Sequence, residues 1–494
     1  MSLISVNNLT FGYDGSLKNI FENVSFNIDT DWKLGLIGRN GKGKTTFLKL
    51  LLGKYEYQGA ISKNVEFDYF PFEVKNKERM AIEIVNEIAP NVEDWEIIRE
   101  LNLLNTDTEV LYRSFNLLSG GEQIKILLIS LFLKGNNFLL IDEPTNHLDI
   151  ETRNNLVNYL EKKKGFILVS HDRNFLDKVV NHIISINNTN IEIQQGNFSS
   201  WKENKNRQDN FEKIQNERLQ KDINRLEIAS KNCAKWSNEA EKTKNKKYNS
   251  ETTIDKGYIG HKADKMMKKS KVMEQRIEKA INEKTNLLKN IEVNDTLKII
   301  PLKSNKNPLI FAHNLQIKYS KETIFNPITF EVNNGDRVAL IGKNGIGKSS
   351  ILKLILGEEL QYNGEFMVAN DLKISYVSQS TEDLKGNLRT FAYDNKINES
   401  IFKAMLVKMG LSQFDFDTNI QDMSEGQNKK VLIAKSISEQ ANIYIWDEPL
   451  NYIDILTREQ IEDAILNYNP TIIFVEHDEK FIEKVATKII NLVK

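Results

Sequence analysis

Two copies of one loop limit what this chain can fold into. Gly38-Arg39-Asn40-Gly41-Lys42-Gly43-Lys44-Thr45 follows a short apolar run, residues 34–37, and precedes a stretch of helical character, residues 46–52. Gly342-Lys343-Asn344-Gly345-Ile346-Gly347-Lys348-Ser349 follows residues 338–341 in the same way, with its lysine 304 positions on. The pattern G-x-x-x-x-G-K-[ST] between a strand and a helix is a phosphate loop. Its glycines let successive backbone N–H groups converge on phosphate oxygens, and the helix N-terminus adds partial positive charge. Lys44 and Lys348 suit β- and γ-phosphates, and the Thr45 and Ser349 hydroxyls suit a Mg2+ ion. A strand–loop–helix unit of this kind belongs to an α/β sheet, so the duplication predicts two α/β domains. At 494 residues the chain is long enough for two large cores.

Further chemistry-bearing residues recur in the same order in both halves. Residues 3–9 and 24–28 alternate as strands do, and Tyr13 between them is an aromatic able to stack on a nucleobase. Ser119, Gly120, Gly121 and Glu122 open the apolar helix 124–133, which makes a second anion-binding helix N-terminus. The strand 138–141 ends in Asp142, suited to Mg2+, and Glu143, suited to polarising an attacking water. Asp149 follows, and the strand 166–169 leads to His171, read here as a contact to a terminal phosphate. In the second half Met423-Ser424-Glu425-Gly426-Gln427, the strand 443–446 with Asp447 and Glu448, and His477 stand about 305 residues after their counterparts. A period above half the chain is a domain duplication, not a short solenoid repeat.

This order resembles the ATPase domain of the ABC superfamily: aromatic loop, Walker A (38–45), LSGGEQ signature (118–123), Walker B (138–143) and switch histidine. The resemblance implies two ATPs sandwiched between the halves, each between one Walker A and the opposite signature. It implies ATP contacts from Tyr13, Gly38, Asn40, Gly41, Gly43, Lys44, Thr45 and Thr46, and from Tyr319, Gly342, Asn344, Gly345, Gly347, Lys348, Ser349 and Ser350. The opposing contacts are Ser119, Gly120, Gly121 and Glu122, and Ser424 with Gly426. Mg2+ falls to Thr45, Asp142, Ser349, Gln379 and Asp447, and catalysis to Glu143, Glu448, His171, His477 and Gln379.

The copies differ. Gln379, in Tyr376-Val377-Ser378-Gln379, fits the family's glutamine near the attacking water, whereas Tyr69-Phe70-Pro71-Phe72 puts Phe72 at that place. The second signature carries Glu425 where the first has Gly120. Both departures fall on the site pairing the Lys44 loop with Ser424, where an acid would repel a triphosphate unless it points away. The site of Lys348, Gln379 and Glu448 is expected to turn over faster.

Residues 201–303 separate the copies. Leu219, Ile223, Leu226, Cys233 and Ala240 follow a heptad-like seam; Met266, Met273, Ala280 and Leu287 repeat every seven on the return side. Two seams joined by a polar turn predict an antiparallel helical hairpin. Residues 208–241 as one helix would span roughly 50 Å at about 1.5 Å per residue. Residues 242–271 hold ten lysines against Glu251, Asp255 and Asp264, although the whole chain is near neutral at −1. Lys242, Lys244, Lys246, Lys247, Lys262, Lys265, Lys268 and Lys269 are candidates for RNA phosphates, and Tyr248 and Tyr258 for stacking on bases. A merely solvated basic turn remains the bland alternative. The expected division is 1–200, 201–303 and 304–494.

The single cysteine, Cys233, excludes an intramolecular disulfide, and no apolar run approaches the ~20 residues a membrane helix needs. Tandem ABC ATPases joined by a long basic hairpin look like the ABC-F family, cytoplasmic proteins that bind the bacterial 70S ribosome at the E site. Their linkers lie near P-site tRNA, 23S rRNA and the peptidyl-transferase centre. The resemblance implies a monomer with an intramolecular ATP sandwich and no transmembrane partner. A long linker, no inserted arm, no C-terminal tail and a degenerate second signature are similar to the Lsa-type antibiotic-resistance proteins. That likeness implies displacement of lincosamides, pleuromutilins and streptogramin A. A housekeeping translation factor is the first alternative; a tandem transporter ATPase subunit and a DNA-structure-binding ATPase are the others.

Overall fold

The computed structural model describes residues 2–14, 19–135, 137–146, 148–187, 190–244, 265, 268–269, 271–273, 275–281, 296–319, 322–412 and 414–493. They form two compact units: residues 1–201 with 294–494, and residues 202–293.

The first half of the larger unit forms β1 (Leu3–Phe11), β2 (Phe21–Asp29), β3 (Lys33–Ile37), β4 (Gln58–Ser62) and β5 (Glu66–Phe70). It continues with β6 (Asn137–Asp142), β7 (Phe166–Val169), β8 (His182–Asn187) and β9 (Asn190–Gln195). β1 pairs antiparallel with β2 and β4 in a small sheet. The main sheet runs β5-β6-β7-β3-β8-β9, parallel except at β9. β6 and β7 are buried across their middles, as parallel strands covered on both faces must be. The second half repeats the plan with β10 (Ile310–Tyr319), β11 (Glu322–Thr323), β12 (Ile328–Val332), β13 (Arg337–Ile341) and β14 (Gln361–Val368). It closes with β15 (Ile374–Val377), β16 (Ile443–Asp447), β17 (Ile472–Val475) and β18 (Lys488–Asn491). Its parallel sheet is ordered β15-β16-β17-β13-β18. In open sheets ligands bind beyond the carboxyl ends of the strands, and there each half gathers the loops that follow four adjacent strands.

Helix starts follow their caps. Lys44–Leu51 begins two residues before the expected position because Gly43, at φ 96°, turns the chain directly into it. A Cβ there would lie 2.5 Å from Ile20 Cγ2, so only glycine fits. The Gly120–Leu133 helix begins at a capping box in which Ser119 accepts from the Glu122 N–H and Glu122 from the Ser119 N–H.

The described residues of the smaller unit are helical. Its first helix, Phe198–Lys244, starts in the larger unit and exceeds the expected 208–241 at both ends; its 47 residues span about 70 Å. Ile223 on this helix and Ile277 on the return side are buried. Met273, expected in the return seam, is 55% exposed, because that face opens into a groove it lines with Leu226, Val272 and Ile277. Among the described residues no helix is long and apolar enough to cross a membrane.

Candidate functional site

Each half places a lysine at the centre of its loop. Lys44 Nζ donates to Gly38 O (2.8 Å), Arg39 O (3.3 Å) and Asn40 Oδ1 (3.2 Å). Lys348 Nζ matches it with Gly342 O (2.8 Å), Lys343 O (3.1 Å) and Asn344 Oδ1 (3.4 Å). Both loops thus present the geometry that cradles phosphates, with Gly41 and Gly345 open around them. Tyr13 packs edge-on against Phe11 and Tyr55, and its hydroxyl lies 2.8 Å from Thr46 Oγ1. The side chain of Tyr319 lies outside the described ones.

Beside each lysine stands a hydroxyl–carboxylate pair. Thr45 Oγ1 donates to Asp142 Oδ2 at 3.2 Å, as does the Tyr69 hydroxyl at 2.9 Å. Ser349 bonds to Asp447, whose Oδ1 is buried without a partner in the protein. Burial raises both aspartates above the usual carboxylate range. A buried acid with an unfilled oxygen next to a hydroxyl fits a hard divalent cation such as Mg2+.

The two halves meet through these loops. Asn40 Nδ2 donates to Tyr452 O at 2.7 Å, and a Cβ on Gly426 would come within 2.6 Å of that nitrogen. The Walker A of the first half therefore faces the signature of the second. Opposite it, the Asp149 carboxylate accepts from the backbone of Asn344, and Lys343 Nζ lies 2.8 Å from Glu151 Oε2. Ser119 and Ser424 both cap their signature helices, a Cβ on Gly121 would meet Leu148 and Thr152 at 3.5 Å, and Gly120 is open. Away from the clefts, Arg173 forms a buried pair with Glu462, Asn174 Nδ2 donates to Glu479 (2.7 Å) and Lys480 Nζ to Asp177 (2.6 Å).

The family model described as "ABC transporter" matches residues 21–146 and 325–451. The ATP-binding protein Uup of Buchnera aphidicola is 30% identical over 515 residues, covering 99% of this chain and 80% of that protein. This chain belongs to the ABC family, as a tandem ATPase of the ABC-F group. It binds ATP with Mg2+ and hydrolyses it to ADP and phosphate. The ribosome protection protein VmlR of Bacillus subtilis is 28% identical over 484 residues, 96% of this chain and 84% of that one. An archaeal ribosome recycling factor, solved with a ribosomal stalk protein, shares the fold at TM-score 0.63 and 18% identity, covering 98% and 87% of the two chains.

In ABC-F terms the two Walker B glutamates share a backbone and differ in company. Glu143 (φ 52°) and Glu448 (φ 46°) both sit in the left-handed region. His171 Nε2 is 3.4 Å from Glu143 Oε1, and His477 Nε2 3.6 Å from Glu448 Oε1. Burial lowers both imidazoles below their usual value and keeps them neutral at pH 7. Glu448 Oε2 accepts from Gln379 Nε2 (2.9 Å) and Asn451 Nδ2 (2.8 Å). Glu143 Oε1 is buried with no such donor. Strand register explains this: Phe70 lies opposite Ile141 as Val377 lies opposite Trp446, so Phe72 occupies the place of Gln379 and packs into the apolar core. Burial and the Asp142 charge push Glu143 up to about 8. Burial acts on Glu448 too, but its bonds to His477 and Gln379 and the Lys348 charge hold it down to about 2. Glu425 accepts from the Tyr452 hydroxyl.

Three further residues reach the site without belonging to any motif: Asn451, Arg153, whose Nη1 donates to His477 O across the halves (3.0 Å), and Lys429. Of the basic candidates, Lys265, Lys268 and Lys269 are exposed. Lys242 and Lys244 end the long helix with side chains outside the described ones. Lys246, Lys247, Tyr248, Tyr258 and Lys262 lie outside the described residues.

Proposed function

We propose that this ABC-F ATPase binds the bacterial ribosome in its ATP-bound form and protects the peptidyl-transferase centre from lincosamide, pleuromutilin and streptogramin A antibiotics. The observation that carries the reading is the 28% identity, along 96% of the chain, to a protein named for ribosome protection. The helical unit of residues 202–293, with Lys265, Lys268 and Lys269 exposed, supports contact with RNA phosphates near P-site tRNA. A cytoplasmic site of action follows from that partner.

ATP enters between Walker A of one half and the signature of the other. Lys44 and Lys348 leave their own loop carbonyls for the β- and γ-phosphates, and Tyr13 offers a face to the adenine. Thr45 with Asp142, and Ser349 with Asp447, would hold Mg2+, which neutralises phosphate charge. Glu448, ionised and steered by Gln379 and Asn451, accepts the proton of the attacking water, while neutral His477 donates to the γ-phosphate. Glu143, with Phe72 in place of the glutamine and no side-chain amide from that position, works more slowly. Closure on ATP produces the ribosome-binding form and hydrolysis releases it, a population shift between two states.

The test is bacterial cell-free translation inhibited by a lincosamide or pleuromutilin, with purified protein and ATP added. Rescue that is lost when the lysines between 242 and 271 are neutralised is the expected result. ATP-dependent ribosome binding without rescue favours a general translation factor, and no ribosome binding refutes both.

A further inference from the structure

The Glu425–Ser438 helix begins at the signature of one cleft and passes beneath the hydrolytic loop of the other. Its first turn, at Ser424 and Gly426, faces Asn40 of the first Walker A. About one turn later Lys429, only 2% exposed, turns into the second half. Its Nζ donates to Ser378 O at 2.9 Å and to Glu448 O at 3.2 Å. One ammonium thus ties together the signature helix, the residue before Gln379 and the main chain of Glu448. Among the described residues the first half has no such tie: Ile124 stands at the place of Lys429, and Glu143 O takes a long 3.5 Å bond from the Asn146 N–H.

We infer that Lys429 is a positioning residue that couples the two ATP sites in one direction, setting Glu448 and Gln379 at the Lys348 site according to whether ATP sits at the Lys44 site. The inference rests on the ATP-sandwich reading above. ATP entering beside Lys44 must part Asn40 from Gly426, and this shifts the first turn of the signature helix. A helix moves as a rigid rod over so short a distance, about 1.5 Å of rise per residue. Lys429 therefore carries the shift to both carbonyls. Signals in the reverse direction meet Ile124, which has no polar hold on Glu143.

A double-mutant cycle on the full chain tests this, with steady-state ATPase measured for wild type, Lys44→Ala, Lys429→Met and the double variant. The expected result is that Lys429→Met lowers kcat about tenfold with KM changed less than twofold, and that Lys429→Arg restores most of it. Lys44→Ala should lower kcat several-fold in the wild-type background and hardly at all in Lys429→Met, since the link is already cut. Fold-losses that simply multiply, or a Lys429→Met effect confined to KM, overturn the coupling. If Lys429→Met does not fold, Lys429→Gln, a shorter side chain that cannot reach both carbonyls at once, carries the same cycle with the same criterion. Glu448→Gln run alongside separates the two ideas: persisting turnover there removes Glu448 as the base of the Lys348 site, and with it the reading on which the coupling rests, whatever Lys429 shows.

Discussion

Glu476 offers a clean test of how burial sets the pH response of this fold. It precedes the switch histidine His477 and is 3% exposed, with Oε1 accepting from the Leu450 N–H at 2.7 Å and Oε2 from the His477 N–H at 3.1 Å. Burial pushes its carboxyl up to about 7, with the Glu448 and Asp478 charges adding to the rise and Arg458 opposing it. Below pH 4.5 both the folded and unfolded chains keep this proton. Between there and pH 7 the unfolded chain loses it while the folded one holds it, so stability falls as pH rises. Above 7 the folded group also ionises and the slope ends. From 4.5 to about 7, at roughly 1.4 kcal/mol per pH unit, the group removes about 3 kcal/mol of stability.

Glu476→Gln keeps the shape and removes the charge. It should flatten the loss of stability between pH 5 and pH 8 by about 3 kcal/mol. Its absolute gain at pH 8 should be nearer 2 kcal/mol, because an amide cannot accept from both N–H groups and one bond is worth about 1 kcal/mol. Urea unfolding followed by the fluorescence of Trp446, fully buried in the same half, reads the difference. The first half gives an internal control: Ser170 and Thr145 stand at the equivalent positions, their hydroxyls 3.1 Å apart. Glu476→Ser combined with Leu450→Thr should therefore flatten the profile as well. Equal pH slopes in wild type and Glu476→Gln would refute the reasoning.

The remaining predictions concern the clefts, the contact between the halves and the helical unit. Glu448→Gln should lower steady-state ATP hydrolysis about 100-fold or more, the usual loss for a general base, whereas Glu143→Gln should cost less than about threefold; equal losses would remove the asymmetry. Arg173→Met leaves the fully buried Glu462 with only Lys484 at 3.0 Å. It should cost about 3 kcal/mol, the low end for breaking a buried pair, and a calorimetric change under about 1 kcal/mol would refute that. Replacing Lys265, Lys268 and Lys269 by Gln should make the log–log salt dependence of ribosome affinity shallower by about 2, at roughly 0.7–0.9 per phosphate contact. An unchanged slope would place RNA contact elsewhere.

What the sequence disclosed depended on how local the cause was. Strands at 138–141 and 166–169 could be read because a strand buried on both faces must be apolar throughout. The phosphate loops could be read because converging N–H groups demand glycine at fixed intervals. The sequence pattern places helix starts late, because an apolar pattern registers a helix only after its polar first turn, where Ser119 and Gly43 act. The long helix shows this too: its start is set by Asn197, whose Oδ1 accepts from the Ser200 N–H, well before the heptad seam begins. Contacts made between the halves left no local trace. Arg153 reads as one more charge on a helix, and only folding brings it to His477 O. Lys429 did leave a trace, since a lysine replaces Ile124 in an otherwise similar helix, but its two carbonyl partners lie 51 and 19 residues away.

The differences between the halves share a physical character. The two Walker B turns have nearly the same backbone, with φ 52° and 46°, and their histidines stand at similar distances. Around that common turn the first half places Phe72, Ile124 and Ser170, and the second places Gln379, Lys429 and Glu476. The second set brings an amide, an ammonium and a carboxylate to within hydrogen-bonding distance of the hydrolytic loop; the first brings two apolar groups and a hydroxyl. Side-chain exchange at three positions therefore changes how firmly a glutamate is held while leaving the fold intact. The same exchange explains why the first cleft keeps its phosphate loop, Asp142 and His171. Binding ATP needs the loop and the cation pair, which both halves have, whereas fast turnover needs a steered carboxylate, and only Glu448 receives donors from both Gln379 and Asn451.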